Sequence, residues 1–180
     1  MLHTEQFLSP TGSRAAGQAP TVAPRIPSLR GARAAVLDNG KRNGDRFLAE
    51  VTRLLTEQYG LAGVTTARKP DLSKPAGAEL LGELLKPADV FITGIGDCGS
   101  CSACSVIDAI AADELGVPAV AVCTDQFRVG GVAVARLRGL PGYQFAVVPH
   151  PVGILDKAGL ADRARTAVPQ IVSILTGPAS

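Results

Sequence analysis

The sequence contains no tryptophan, and aromatic residues make up only 4% of its 180 residues. So few aromatic side chains provide no stacking platform for single-stranded nucleic acid. A formal net charge of +2 is also too small to indicate a nucleic-acid partner. No apolar run approaches the roughly 20 residues that span a bilayer, and the first residues lack the basic start and long apolar region of a secretory signal. We therefore expect a cytoplasmic enzyme or binding protein with neither a nucleic-acid nor a membrane partner.

What is present is the composition of a globular chain, with 46% hydrophobic and 19% charged residues. Residues 1–30 are rich in proline, alanine and serine and have no sustained hydrophobic period. They are predicted to form an extended arm over the domain or over a neighbouring subunit, or else a disordered tail. Residues 31–180 are long enough for one α/β domain with its own core. The expected protein partner is a second copy of the chain or a different subunit.

Hydrophobic periodicity predicts five strands that alternate with helices. The strands are expected at 34–37, 64–67, 88–93, 117–123 and 145–148, and the helices at 44–59, 77–85, 105–115, 129–140 and 160–175. We expect Pro169 to interrupt the last helix. This alternation implies a single, mainly parallel, doubly wound sheet of five strands with helices on both faces. With the strand order 2-1-3-4-5, a ligand crevice is expected at the carboxyl ends of the first and third strands.

The polar residues that follow these strands should meet at one edge of the sheet, because the carboxyl ends of parallel strands lie together. The candidates for substrate binding that follow the first and fourth strands are Asp38, Asn39, Lys41, Arg42, Thr124 and Asp125. Lys41 and Arg42 are suited to a carboxylate or phosphate group, although solvated surface cations are an equally good interpretation. The loops are short, so we expect a small carboxylate or amine as substrate.

The third strand leads into a glycine-rich turn with a C-x-x-C-x-x-C pattern, in which Cys98, Cys101 and Cys104 precede a helix. Backbone N–H groups at a helix N-terminus favour negative charge, so a cysteine in this turn should be more thiolate than a free one. We predict that Cys98 is a nucleophile and that Cys101 is the thiol that resolves its adduct. Gly99 and Ser100, between the two, are further candidates for contact with substrate. Inert buried cysteines are the alternative interpretation.

Two other residues are candidates for proton transfer. Asp97 directly precedes Cys98, and His150 lies between two prolines at the end of the fifth strand. A carboxylate and an imidazole are common general acids and bases. Asp97 could instead cap the helix that follows, and His150 could be an ordinary histidine of a surface loop.

Metal binding is a second functional hypothesis, because C-x-x-C-x-x-C is also the beginning of the ligand run of a bacterial ferredoxin. The run is incomplete here, since Asp108 and Ala109 stand where that pattern continues with cysteine and proline. The four cysteines could form a thiolate site for a metal ion or an Fe–S cluster if the fourth strand ends beside the turn. That alternative ligand set is Cys98, Cys101, Cys104 and Cys123. A non-catalytic subunit of a larger complex is a further alternative.

The residues from Gly96 to Cys101, GDCGSC, resemble the signature of the UGSC family, which is named for a selenocysteine-Gly-Ser-Cys motif. The likeness extends from LSPTG at residues 8–12 to VPHP at residues 148–151. UGSC proteins are similar in turn to the substrate-reducing B component of glycine, sarcosine and betaine reductases. The resemblance implies that Cys98 occupies the selenocysteine position and Cys101 that of its partner. It also implies thiol redox chemistry, or reductive cleavage in which the nucleophile attacks carbon.

The strand–glycine–cysteine–helix layout is also similar to the aspartate/glutamate racemase group, in which two cysteines move a proton at a carbon acid. Cys98 and Cys123, each at the end of a predicted strand, are the candidates for such a pair. Proton transfer of this kind is therefore an alternative to redox chemistry.

Overall fold

A computed structural model describes residues 20–177, in which strands and helices alternate throughout. The strands are β1 (Arg33–Asp38), β2 (Gly63–Arg68), β3 (Val90–Gly96), β4 (Ala119–Thr124) and β5 (Ala146–Val148). The helices are α1 (Gly44–Tyr59), α2 (Ala78–Leu85), α3 (Gly99–Glu114), α4 (Arg128–Leu137) and α5 (Lys157–Thr176), with a 3₁₀ turn at Asp125–Phe127. None of the helices within residues 20–177 combines the length and the apolar character needed to cross a bilayer.

The strands form one parallel sheet in the order β2-β1-β3-β4-β5, as the sequence predicted. Helices α1 and α5 pack on one face, and α2, α3 and α4 pack on the other. The central strand β3 is buried along its whole length, because helices cover both of its faces. The fold is therefore a doubly wound α/β sheet whose carboxyl edge carries the loops after β1, β3, β4 and β5.

Helix α3 begins at Gly99 rather than near residue 105, so the prediction for its start was wrong. Cys98 is the N-cap: its backbone is extended and its sulfur accepts a hydrogen bond from the N–H of Cys101. Serine is a weak helix former because it competes with the backbone for hydrogen bonds. Here the hydroxyl of Ser102 donates a hydrogen bond to the carbonyl of Gly96, so this hydroxyl does not compete for the backbone of the first turn. Cys101 and Cys104 consequently lie inside the helix.

Helix α5 continues through Pro169, contrary to the expected interruption. A proline inside a helix removes a backbone hydrogen bond and costs roughly 3 kcal/mol. Apolar side chains are buried on both sides of it, including Ala164, Val168 and Ile171. Burial of these apolar side chains along the whole helix offsets the local cost of the proline. The prediction considered only the proline and its neighbours, so it missed this contribution.

Of the predicted arm, residues 1–19 lie outside the described residues. Residues 20–30 contain neither helix nor strand and pack against the domain. The carboxylate of Asp113 in α3 accepts hydrogen bonds from the Ala23 N–H at 3.2 Å and from the Arg25 guanidinium at 2.8 Å. The N–H of Ile26 donates to the carbonyl of Leu175 at the end of α5. These contacts fasten this segment across α3 and α5.

Candidate functional site

The turn between β3 and α3 is built around Gly96, which is approached too closely to carry a side chain. A Cβ at this position would lie 2.6 Å from Ser102 Oγ and 2.8 Å from Cys123 Sγ. The Gly96 carbonyl accepts hydrogen bonds from the hydroxyls of Ser102 and Thr124, both at 3.0 Å. Glycine therefore allows the end of β3 to sit tightly against α3 and β4, and this contact sets the position of the cysteines that follow.

Cys98 and Cys101 form a disulfide at the first turn of α3, with their Cα atoms 5.2 Å apart. Cys98 is partly exposed, whereas Cys101 is completely buried. The Cys101 N–H donates to Cys98 Sγ at 3.3 Å, and the hydroxyl of exposed Ser100 lies 3.6 Å from the same sulfur. Of the two sulfurs, that of Cys98 is the one a substrate can reach.

Asp97 binds the loop after β5 rather than capping α3, so the capping interpretation was wrong. Its carboxylate is 7% exposed and accepts hydrogen bonds from the N–H groups of Val152 and Gly153, the latter at 2.9 Å. The ring Nδ1 of His150 lies 2.8 Å from Asp97 Oδ1. The residue next to Cys98 thus holds the loop that carries the histidine.

His150 is held from several directions and is only 24% exposed at its side chain. Besides Asp97, its Nδ1 has Thr124 Oγ1 at 3.4 Å, and its backbone N–H donates to Asp125 Oδ1 at 3.0 Å. The ring of Phe127 meets the imidazole edge-on, with centroids 5.4 Å apart. The carboxylate favours the proton on Nδ1, which leaves Nε2 to take up or release a proton. Thr124 and Asp125 therefore position the histidine.

Asn39 does not have a side chain available for substrate, because it is fully buried and internally bonded. Its Nδ2 donates to the carbonyl of Ile95 at 3.0 Å and to Ser105 Oγ at 3.1 Å, and its Oδ1 accepts from the N–H of Lys41. The amide joins the ends of β1 and β3 to α3. Its predicted role in substrate binding is replaced by a structural one.

Asp38 is engaged on the β2 side of the sheet. Its Oδ1 accepts from the Gly40 N–H at 2.9 Å, and its Oδ2 lies 3.4 Å from the guanidinium of Arg68. Burial raises the pKa of this carboxyl above its ordinary value, and the Gly40 hydrogen bond opposes that rise. Asp38 thus closes the turn after β1 through these internal partners.

Lys41 and Arg42 lie beside the loop that Asp97 binds. Gly153 belongs to that loop and marks how close the cations are. A Cβ added to Gly153 would be 3.2 Å from Asp97 Oδ2, 3.6 Å from the Arg42 carbonyl and 3.9 Å from Lys41 Cε. Lys41 is partly buried and Arg42 is exposed. These cations therefore border the same loop as His150, in agreement with the predicted sharing of one sheet edge by the loops after β1, β3 and β5.

The other two cysteines are in different surroundings. Cys104 is 6% exposed and donates to the Ser73 carbonyl at 3.4 Å, and burial raises the pKa of its thiol. Cys123 is fully buried, and burial raises the pKa of its thiol to about 12. Among residues 20–177 no three His, Cys, Asp or Glu side chains converge as a possible metal site. The four-cysteine ligand set is therefore not assembled, and Cys123 is not accessible as the second cysteine of a proton-transfer pair.

A buried ion pair beside Cys104 was not expected from the sequence. Lys69 Nζ lies 3.0 Å from Asp108 Oδ2, with both side chains at most 1% exposed. Asp108 also accepts from the N–H of Ala76 at 2.7 Å. The pair fastens the loop after β2 onto α3. The sequence has no pattern that links Lys69, directly after a strand, to Asp108 in the cysteine-rich helix, so this contact could not be predicted.

The fold and this site define an α/β protein with a cysteine pair at the carboxyl edge of a parallel sheet and a histidine bound by the carboxylate that precedes this pair. Residues 6–177 match the model of the UGSC family. Because this match covers nearly the whole chain, the protein belongs to the UGSC family, and the resemblance seen in residues 96–101 is confirmed. No curated protein and no solved structure matches the chain.

Proposed function

We propose that this protein is a thiol-dependent oxidoreductase whose reduced Cys98–Cys101 pair transfers two electrons to a small polar substrate that carries a carboxylate or an amine. The observation that supports this most directly is the pairing of a reachable sulfur with a buried one at bonding distance. An attacking thiol needs access to the substrate, and a resolving thiol needs only access to the first sulfur. Cys98 is partly exposed, as an attacking thiol must be, and Cys101 is buried beside it, as a resolving thiol can be.

In the first step, Cys98 attacks a substrate R–X as the thiolate, forming Cys98–S–R and breaking the R–X bond. The N–H of Cys101 and the N-terminus of α3 favour negative charge on this sulfur. The proton that Cys98 loses passes to Nε2 of His150 and then to X, which leaves as HX with the bonding electrons. Asp97 stabilises the intermediate imidazolium from the other side of the ring.

In the second step, Cys101 loses its proton and attacks the Cys98 sulfur. The S–R bond breaks, R takes the electron pair and the proton, and the disulfide forms. The sum is R–X plus two thiols giving R–H, HX and one disulfide, so that the substrate gains the two electrons that the cysteines lose. The Cys98–Cys101 disulfide of the structure corresponds to the end of this sequence.

A dithiol must then reduce the disulfide to restore the active pair. The cytoplasm, where we propose that the protein resides, maintains such dithiols in reduced form. A second subunit that presents a dithiol to the exposed side of Cys98 is an equivalent source. In either case the electron donor is a dithiol that becomes a disulfide, and it returns to Cys98 and Cys101 the two electrons that they gave to the substrate.

The similarity to the B component of glycine, sarcosine and betaine reductases is part of the proposal. By that similarity, X would be an amine on a carbon next to a carboxylate. Cysteine stands here in the position of selenocysteine, and a thiol is a weaker nucleophile and a poorer leaving group than a selenol. We therefore propose substrates in which both X and R leave readily, as the two thiols of a disulfide do.

The proposal is tested with three small disulfides that differ in charge: cystamine, dithiodiglycolate and hydroxyethyl disulfide. The Cys101→Ser variant should accumulate a mixed disulfide on Cys98, because the resolving thiol is missing, and intact-protein mass spectrometry detects the adduct. One charged reagent should react at least about 10-fold faster than the neutral one: dithiodiglycolate if the substrate is a carboxylate, or cystamine if it is an amine.

The matched control is Cys104→Ser, which should react like the unmodified protein and form the Cys98–Cys101 disulfide. Absence of an adduct on Cys98 in Cys101→Ser, with all three reagents, would refute the nucleophile assignment. An adduct that forms equally fast with all three would refute the proposed charge of the substrate.

A further inference from the structure

The two edge strands of the sheet, β5 and β2, differ in whether their outer backbone groups are covered. Strand β5 has only three residues, and the side chain of Gln170 covers its outer side. Gln170 Oε1 accepts from the N–H of Val147 at 2.9 Å, and its Nε2 donates to the Val147 carbonyl at 2.8 Å. The backbone groups that a further strand would use are thereby occupied. This edge is closed to strand addition.

Strand β2, at the other edge, is longer and open. All six residues of Gly63–Arg68 are exposed or half-buried, with Val64 at 39%. Among residues 20–177, no side chain bonds to the outer side of its backbone as Gln170 does at β5. The strand contains no proline, no lysine and no bulge, which are the usual protections of an edge.

One face of β2 is open as well. A cavity of about 530 Å³ lies between this strand and α1, because α1 covers β1 and β3 but does not extend over the edge. Its lining combines apolar and small residues with the charged Asp38, Asp45 and Arg68; the former are Val36, Leu48, Ala49, Thr52, Thr66 and Ala67. An edge with free backbone groups and a groove beside it is the kind of surface on which a strand of another chain pairs.

The charges of β2 favour a second copy of the same strand. In Gly63–Arg68 the only charged residue is Arg68 at one end, and it is paired with Asp38 of its own chain. Antiparallel pairing about a twofold axis would place threonine opposite threonine at the centre. The two copies of Arg68 would then lie at opposite ends, roughly 17 Å apart at about 3.4 Å per residue. Threonine pairs are stabilising, and no like charges face each other.

We propose that two copies of this chain associate through β2, in antiparallel register about a twofold axis, to form one sheet that continues from one copy into the other. The interface is isologous, because the same surface serves both subunits. It does not depend on the chemistry of the cysteine pair, which lies at the carboxyl edge of a different strand.

Sedimentation equilibrium over a roughly hundredfold range of protein concentration should show a monomer–dimer equilibrium. Val64→Lys should raise the dissociation constant at least about 10-fold, because a lysine on an edge strand opposes pairing. Val129→Lys is the matched control: Val129 is 78% exposed on α4, and its replacement should leave the dissociation constant unchanged. Far-UV circular dichroism and thermal melting of both variants report whether each is folded.

Hydrogen exchange of the unmodified protein gives an independent test that needs no variant. The amides of residues 63–68 should become more protected as the dimer forms, and those of residues 146–148 should not change. A monomer at all concentrations would overturn the proposal, as would a dimer that Val64→Lys does not weaken. A dimer that protects only amides outside residues 63–68 would also overturn it and would indicate a different interface.

Discussion

The Cys98–Cys101 pair differs from Cys104 and Cys123 in its place at the start of a helix, in its disulfide and in the partial exposure of Cys98, although three of these residues belong to one regular motif. The first pair lies at the N-terminal turn of α3, within bonding distance and with one sulfur reachable. The Cys104 thiol donates a hydrogen bond to the Ser73 carbonyl, and Cys123 is fully buried in contact with Gly96. The spacing of cysteines in the sequence therefore does not fix their surroundings, which depend on the position of each relative to the helix start and to solvent.

The largest expected difference between the two pairs is in alkylation of the reduced protein by iodoacetamide. At about pH 8, a thiol with a pKa of about 12 is ionised only to about one part in 10⁴, so Cys123 should react at least about 10³-fold more slowly than Cys98. Because its pKa is raised, an increase in pH should increase its reaction steadily up to about pH 12. Peptide mass spectrometry over a time course measures both rates.

Unfolding in urea should remove this difference, because the burial that raises the pKa of Cys123 is then lost. Comparable rates for Cys98 and Cys123 in the folded protein would contradict the assignment of one reactive and one sealed cysteine.

A smaller effect is expected from His150→Asn. An asparagine amide can still donate to Asp97 but cannot carry a proton, so the reaction of Cys98 with cystamine should slow about 100-fold. Stopped-flow kinetics on the Cys101→Ser background measures this step alone. An unchanged rate would mean that the histidine only supports the loop.

The smallest effect separates two glycines on either side of Cys98. Gly96→Ala should lower the free energy of unfolding by about 1–3 kcal/mol, because the new methyl would meet Ser102 and Cys123 within 3 Å. At Gly99, no atom lies within 4 Å of an added Cβ, so Gly99→Ala should be neutral or slightly stabilising in the helix. Urea denaturation measures both, and equal losses would contradict the close packing at the end of β3.

Most of the fold could be predicted because it depends on hydrophobic period and on general rules of parallel sheets. The bounds of α1 and the strand order agree with the prediction. The start of α3 could not be predicted, since it depends on a sulfur acting as the cap and on a serine hydroxyl that bonds the preceding strand. Neither interaction has a sequence signal of its own.

The candidate site was predictable to the level of the sheet edge and no further. Cys98, Asp97 and His150 do lie on loops at that edge, Cys101 lies in the first turn of α3, and Asp97 contacts His150. The burial of Asn39 and Cys123 was not predictable, because it depends on which way each side chain turns at the end of its strand. The contact of Phe127 with the imidazole was missed for the same reason, although its place shortly after β4 is a signal that could have suggested it.

The side-chain amide of Gln170 has a consequence for how large an assembly of this chain can become. A sheet that accepts a neighbour at both margins can polymerise without limit, whereas one margin here is already occupied by that glutamine. In the proposed dimer, growth by strand addition therefore stops after a single event, because only the two β5 edges remain. Replacing this one residue with alanine would test whether termination is its role.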